Sequence, residues 1–316
     1  MAENLKESVH QLLDGVDRVV LGKRPQATLI LAAWLAQGHV LLDDVPGVAK
    51  TRLARAFAKL TDLAMGRVQG TPDLLPQDIT GGPIYDMKNG DLVFRAGPVF
   101  HNILLVDEIN RTTPRTQAAL LECMEERQVT ADGITHPLPD PFLVIATQNP
   151  VEMEGTFPLP EAELDRFLIS VTLGYPDESD ERELVSSFSV SDPIADLTPV
   201  LSAAALQGAA AACREVALND ATRDYLVALC RTTREHSLIE LGASPRTTVR
   251  FAQLARSYAW LQGRTYVIPD DIKTLAGPVL AHRLIPSSSA TVSRLSGNLL
   301  VTQILDEVPV PVEELP

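Results

Sequence analysis

The segment from His39 to Leu60 constrains the architecture of this chain more than any other. An apolar run, His39-Val40-Leu41-Leu42, enters the turn Val45-Pro46-Gly47-Val48-Ala49-Lys50-Thr51, and a helical pattern follows at once. Leu53, Ala56, Phe57 and Leu60 recur at the spacing of one helix face, which anchors the helix N-terminus against a sheet. A strand, a tight turn with inward-facing N–H groups, a Lys for terminal phosphates and a Ser/Thr hydroxyl for Mg²⁺ are the parts of a phosphate loop. The helix dipole would point its positive end at the same anion. The strict pattern has glycines where Asp44 and Ala49 stand, so only Gly47 has free access to left-handed backbone angles. Ala49 can keep its N–H pointing at a phosphate if its backbone lies in the right-handed region that opens the helix, where a methyl group is tolerated. A Lys-Thr pair following a buried strand by chance would look the same, so other segments must decide.

Composition narrows the field. The 316 residues, 45% hydrophobic and 22% charged, suit a soluble globular chain of two domains. A balance of 27 Lys and Arg against 41 Asp and Glu, a net charge of −14, makes nucleic acid an unlikely principal partner. The longest apolar segment, Ala27 to Ala36, is about half the length that spans a bilayer, so no transmembrane segment is expected and cytoplasmic residence is the default. Cys123, Cys213 and Cys230 form no CxxC and read as core residues. The six histidines lie far apart, and no HExxH or GxSxG occurs, so zinc-hydrolase and serine-hydrolase chemistry lack support.

From about Leu31 to Thr172 short apolar runs alternate with helical patterns, which predicts an α/β fold with a parallel sheet covered by helices. Strands are expected at 39–42, 66–69, 103–106, 142–146 and 167–172, with 103–106 and 142–146 central because they are continuously apolar. Two hairpins interrupt this scheme, one over 83–94 turned at Asn89-Gly90 and one over 128–135 turned at Asp132-Gly133. They read equally as protruding contact devices or as loops covering the sheet edge. After Tyr175-Pro176 the strand signal stops, and helices are expected at about 178–190, 201–215, 220–236, 246–262 and 269–283. The division is therefore an α/β core over 1–176 that carries the candidate phosphate loop, an all-helical domain over 177–305 and a loose acidic tail over 306–316, with a proline-bearing linker from Ser187 to Val200.

The chemistry-bearing residues cluster at predicted strand ends. Asp107-Glu108 follows the run Ile103-Leu104-Leu105-Val106, at the carboxyl end of a strand, where ligands bind in open α/β sheets. Asp107 would hold Mg²⁺, directly or through water, and Glu108 would polarise an attacking water. Helix capping by Asp107 is the plainer alternative, but Thr113-Pro114 already supplies a helix start. Asn149, at the tip of the run 142–146, suits a contact to the γ-phosphate or the water, although Asn before Pro is also a turn signal. Arg166 precedes the last strand and Arg246 opens a helix of the second domain; either alone would pass for a surface ion-pair residue.

This order of parts resembles that of AAA+ ATPases over nearly the whole chain. Four strings, Arg67 to Gly81, Asp107-Glu108-Ile109-Asn110-Arg111, Leu159 to Phe167, and Val279-Leu280-Ala281-His282-Arg283-Leu284, are similar to those of the MoxR family within that superfamily. The resemblance implies a core with a five-stranded parallel sheet and two inserted hairpins, followed by a helical lid. It also implies ATP and Mg²⁺ as cofactors. Lys50 and Thr51 match the first nucleotide motif, Asp107 and Glu108 the second, Asn149 the first sensor and Arg246 the second. Arg166 matches the arginine that reaches a neighbouring subunit's nucleotide, and the backbone of Val20, Leu21 and Gly22 matches the adenine-holding segment. The implied assembly is a homo-oligomeric ring, a hexamer, that remodels or matures a partner protein carrying a von Willebrand A domain. Ala49 departs from the AAA+ glycine, although similar loops of this family carry Ala there.

Three rival readings share some of these features. One is a nucleotide-binding switch with negligible turnover, supported only by Ala49. Another is a small-molecule P-loop kinase, which does not call for a helical domain and two hairpins. The third is the ATPase subunit of a complex like the metal chelatases, which shares the fold and most motifs.

Overall fold

The computed structural model describes residues 2–45, 47–88, 90–149, 155–187 and 193–311. Among the described residues up to Val171 nine strands occur: β1 (Val40–Asp43), β2 (Met65–Gln69), β3 (Gly81–Asp86), β4 (Asp91–Ala96), β5 (Ile103–Asp107), β6 (Gln128–Ala131), β7 (Ile134–Pro137), β8 (Leu143–Gln148) and β9 (Ile169–Val171). Five of them form one parallel sheet in the order β2-β5-β8-β1-β9. The expected strands are those five, and the two continuously apolar runs occupy interior positions. Alternation along each strand divides the side chains between two cores. Val40, Leu42, Ile103, Leu105, Leu143 and Ile145 enter one hydrophobic cluster, whereas Leu41, Leu104, Val106, Val144 and Ala146 enter the other. That division is why the runs are apolar throughout.

The two hairpins are β3–β4 and β6–β7. Asp132 and Gly133 both take positive φ, 50° and 77°, as a tight two-residue hairpin turn demands; Asn89 of the other turn lies outside the described residues. The hairpins lean on each other through Phe94 and His136, whose rings stack at 4.0 Å. Ile84, Tyr85, Met87, Leu92 and Val93 on β3–β4 remain exposed.

Beyond β9 the chain is helical: Glu178–Ser187, Ala203–Arg214, Asp220–Glu235, Pro245–Leu261, Pro269–Leu280 and Gly297–Glu307 are the longer helices. A short antiparallel ladder pairs Ile239–Leu241 with Ile285–Pro286. Two further helices, Ala2–Asp17 and Arg24–Leu35, precede β1. Their buried faces join those of the later helices in a single cluster that also backs one face of the sheet. The last helix carries Asp306 and Glu307, Val308 is buried, and 312–316 lie outside the described residues.

Candidate functional site

The loop after β1 is shaped by left-handed backbone. Gly47 has φ 89°, and Ala49, which caps the helix Lys50–Thr61, has φ 64° and ψ 21°. Ala49 therefore does not meet the condition of a right-handed backbone. A left-handed residue beside a right-handed one curls successive N–H groups into an anion-binding concavity, which a plain helical start does not do. The conformation costs Ala roughly 1–2 kcal/mol, and the methyl packs against the adjoining hydrophobic cluster. Val48 is buried in that cluster and Val45 packs on it, so these two act through main chain only. Pro46 lies outside the described residues.

Asp44, at a glycine position of the strict pattern, has a definite use. Its buried carboxylate accepts the N–H of Val45 at 3.0 Å through Oδ1 and those of Leu173 and Gly174 through Oδ2, at 2.5 and 3.0 Å. It thereby ties the start of the loop to the chain leaving β9. Its carbonyl accepts the Lys50 Nζ at 2.8 Å. Burial pulls Lys50 below the usual lysine range, opposed by the carboxylates of Asp44, Asp107, Glu108 and Asp43.

Gly47, Ala49, Lys50, Thr51, Asp107, Glu108 and Asn149 line one cleft of about 380 Å³, which Arg52, Arg67, Gln69 and Thr147 complete. Asp107 ends β5 and is buried, and Arg67 Nε donates to its Oδ2 at 2.8 Å. Glu108 is left-handed, with φ 57° and ψ 52°, as the chain breaks out of the strand. Its N–H donates to Thr147 Oγ1 at 2.9 Å, and its Oε2 accepts from Gln69 Nε2 and from Arg111, each at 3.0 Å. Gly70 fits closely beneath this turn. A Cβ there would stand 2.1 Å from the Glu108 carbonyl oxygen, and the Gly70 N–H donates to the Asp107 carbonyl at 2.7 Å. Asp107 caps no helix: the next one, Pro114–Glu126, is capped by Thr113, whose hydroxyl accepts from Thr116 N–H.

Arg67 and Gln69 had no assigned role in the sequence. Both project from the same side of β2, alternating with buried Gly66 and Val68, and the parallel register sets Gln69 opposite Asp107. Two polar side chains at period two on a strand beside the acidic pair were the available signal.

The donor set suits hard cations. Thr51 and Asp107 offer oxygen alone, and among the described residues no cluster of three or more His, Cys, Asp or Glu forms a self-sufficient metal cage. Mg²⁺ is commonly held by one or two carboxylates together with substrate phosphates and water. The cleft therefore fits Mg²⁺ arriving with a nucleotide.

Arg166 and Arg246 do not line this cleft. They border a separate cavity of about 160 Å³, which shares no lining residue with the first and also exposes Glu125, Arg127, Asp165 and Arg250. Glu125 joins them: Oε1 accepts from Arg246 at 2.7 Å and Oε2 lies 3.3 Å from Arg166. Asp165 binds the lid behind them. Its Oδ1 accepts from Arg283 Nε at 2.7 Å and Thr247 Oγ1 at 2.9 Å, and its Oδ2 accepts from Ser244 Oγ at 3.1 Å. Val20, Leu21 and Gly22 form the turn between the first two helices, away from the lining of the Lys50 cleft. Gly22 has φ 68°, and the Asp180 carboxylate fills the place a Cβ would take. The adjoining Lys23 donates to the Tyr175 carbonyl at 2.8 Å.

Comparison with known proteins places the chain in a family. The family model described as "ATPase family associated with various cellular activities (AAA)" matches residues 39–169, and that of the "AAA lid domain" matches 231–302. YeaC of Bacillus subtilis, itself uncharacterised, is 46% identical over 98% of both chains. "Chaperone MoxR1" of Mycobacterium tuberculosis is 40% identical, with 98% of this chain and 85% of the relative covered. "Protein MoxR" of Paracoccus denitrificans is 33% identical over 93% of both. The crystal structure of a candidate ATPase from Cytophaga hutchinsonii superposes with a TM-score of 0.92, at 36% identity over 98% of this chain and 97% of that one. The chain belongs to the MoxR family of AAA+ ATPases and is an ATP hydrolase.

Proposed function

We propose that the chain hydrolyses ATP with Mg²⁺ as one member of a homo-oligomeric ring, a hexamer, and spends that hydrolysis on remodelling or maturing a partner protein. The Lys50 ammonium and the main-chain N–H groups from Gly47 to Thr51 grip the terminal phosphates. The Thr51 hydroxyl and Asp107 carboxylate would hold Mg²⁺, which would neutralise phosphate charge. Arg67, which donates to the same carboxylate, would have to release it. Glu108 takes the proton of the attacking water, and Asn149 orients that water or contacts the γ-phosphate. Val20, Leu21 and Gly22 supply backbone contacts to adenine. Arg166 completes the site of a neighbouring chain, and Arg246 acts in trans beside it. Residues 1–176 are the nucleotide-binding core in this reading, 177–305 the lid and 306–316 a tail.

The observation that carries the reading is the separation of the two sets: Lys50, Thr51, Asp107, Glu108 and Asn149 share one cleft, whereas Arg166 and Arg246 meet elsewhere on the same Glu125. In this reading Arg67 is engaged with Asp107, and Arg166 and Arg246, which lie outside their own chain's cleft, serve the phosphate of a neighbour. The exposed apolar side chains of β3–β4 favour the contact-device reading of that hairpin. By family resemblance the partner carries a von Willebrand A domain. Cytoplasmic residence fits three buried, unbridged cysteines; among the described residues no helix is long and apolar enough to cross a membrane.

Phosphate release measured across a range of protein concentrations tests the reading. Specific activity should rise as chains associate, and Arg166→Ala should bind ATP while losing about 10³-fold or more of hydrolysis. Concentration-independent activity, or an Arg166→Ala variant that turns over normally, would overturn it.

A further inference from the structure

The arginine-lined cavity holds a carboxylate in an unusual position. Glu125 lies near the end of the helix Pro114–Glu126, and its two oxygens are divided between guanidinium groups from two different parts of the chain, Arg166 before β9 and Arg246 at the start of a lid helix. The cavity is lined by five arginines (127, 166, 246, 250 and 283) but only two acids, Glu125 and Asp165. Asp165 is taken up by Arg283, Ser244 and Thr247. Arg127 and Arg250 direct their hydrogen bonds to the carbonyls of Ala36 and Gln37 and to Gln253. Burial and the neighbouring guanidiniums of Arg127, Arg246 and Arg283 push Arg250 below the usual arginine range, a sign of positive charge in excess. Glu125 is thus the one acid in the cavity whose partners are both arginines proposed to act in trans. With side-chain exposures of 32% for Glu125, 31% for Arg166 and 54% for Arg246, an incoming anion can reach all three.

We propose that Glu125 is an internal stand-in for phosphate. Its carboxylate holds Arg166 and Arg246 as a preformed pair while no neighbour is docked, and yields them to the γ-phosphate of a second copy of this chain when the ring closes. A phosphoryl group offers more oxygens and more negative charge than one carboxylate, so it wins the guanidiniums once it arrives with the neighbour's surface. The exchange prevents two cations from standing bare on a free chain, and it sets a threshold for docking. Asp165 keeps the pair in register, because Arg166 adjoins it and Arg246 lies between Ser244 and Thr247, both bonded to its carboxylate. The proposal rests on the trans reading of Arg166 and Arg246.

The test uses the full chain with Lys50→Ala added to weaken the phosphate loop, and inorganic tripolyphosphate as the probe in calorimetry. Replacing Glu125 with Gln keeps the helix and the volume but removes the charge. The Lys50→Ala, Glu125→Gln double variant should bind tripolyphosphate about threefold to tenfold more tightly than Lys50→Ala alone, the range expected when two partly exposed ion pairs no longer compete. Adding Arg246→Ala should abolish the gain. Equal affinity with and without Glu125 would overturn the proposal. In the Lys50-intact chain, Glu125→Gln should lower the ATP concentration for half-maximal hydrolysis by a similar factor. A fall in turnover with half-saturation unchanged would instead make Glu125 a rigid holder of the arginines, and would also overturn it. Retained activity in Arg166→Ala removes the ring reading alone, since the tripolyphosphate titration needs no ring.

Discussion

In the Lys50 cleft the main chain does most of the shaping, whereas around Glu125 long side chains from core and lid meet across a seam. Gly47, Ala49 and Glu108 are all left-handed, and Gly70 lies against the Glu108 carbonyl with no room for a methyl group. Asp44 adds a buried carboxylate that fastens loop to strand. The main chain of the cleft is therefore committed to one geometry before any ligand arrives, as a site that grips phosphate and aims an acid requires. The seam instead depends on Glu125, shared between Arg166 and Arg246, with Asp165 and Arg283 holding core to lid behind it. Rigid chemistry on one side and exchangeable ion pairs on the other are what a site divided between two chains calls for.

Glu108→Gln puts the greatest strain on this comparison. Loss of a general base commonly lowers a rate by about 10² to 10⁴, so hydrolysis should nearly vanish while ATP stays bound, as read by nucleotide retention after gel filtration. Normal turnover would mean that the base lies outside the cleft. Gly70→Ala ranks next. Its methyl group must displace the Glu108 main chain, with a cost of about 1–3 kcal/mol for overpacking, so thermal stability and turnover should fall together. Association measured by sedimentation should stay as in the parent chain, and a change there would show that cleft and seam are not separable. Smallest is Ala49→Gly, which removes the left-handed penalty. It should raise unfolding free energy by up to about 1 kcal/mol, offset in part by the added freedom of the unfolded chain; a loss of stability would show that the packed methyl outweighs the backbone strain.

Acid should act through His39, which is buried between the sheet and the helix Pro114–Glu126. Its Nδ1 accepts the Val144 N–H and its Nε2 faces the Met124 carbonyl, so it is held neutral, with its pKa lowered by burial from 6.5 to about 3. Because the unfolded chain takes up the proton first, this contribution is intact above pH 6.5 and is lost as pH falls toward 3, at up to about 1.4 kcal/mol per pH unit. Chemical denaturation between pH 7 and pH 5 reads the slope, which a His39→Gln variant should lessen.

Much of this was legible in the sequence. Apolar runs such as Leu143–Ala146 declare a strand buried on both faces, and Asp132-Gly133 declares its hairpin, because both signals are local. The lid helices were legible for the same reason. The left-handed Ala49 was not, since nothing in an alanine announces positive φ; the loop imposes it. The uses of Arg67, Gln69 and Asp44 depend on which strand lies beside which, and β2 neighbours β5 across a long crossover. Glu125 was invisible for a stronger reason: it sits 41 residues before Arg166 and 121 before Arg246, and only the lid's placement brings the three together.

The most direct measurement mixes two inactive chains. Lys50→Ala cannot grip phosphate but carries Arg166, whereas Arg166→Ala binds ATP but lacks the arginine. Combined in equal amounts after subunit exchange, about a quarter of the interfaces in a closed ring pair a sound cleft with a sound arginine. ATP hydrolysis should then reappear at about that fraction of the parent rate, although neither chain is active alone. Mixtures that stay inactive despite demonstrated exchange of subunits would contradict a site completed from a neighbouring chain.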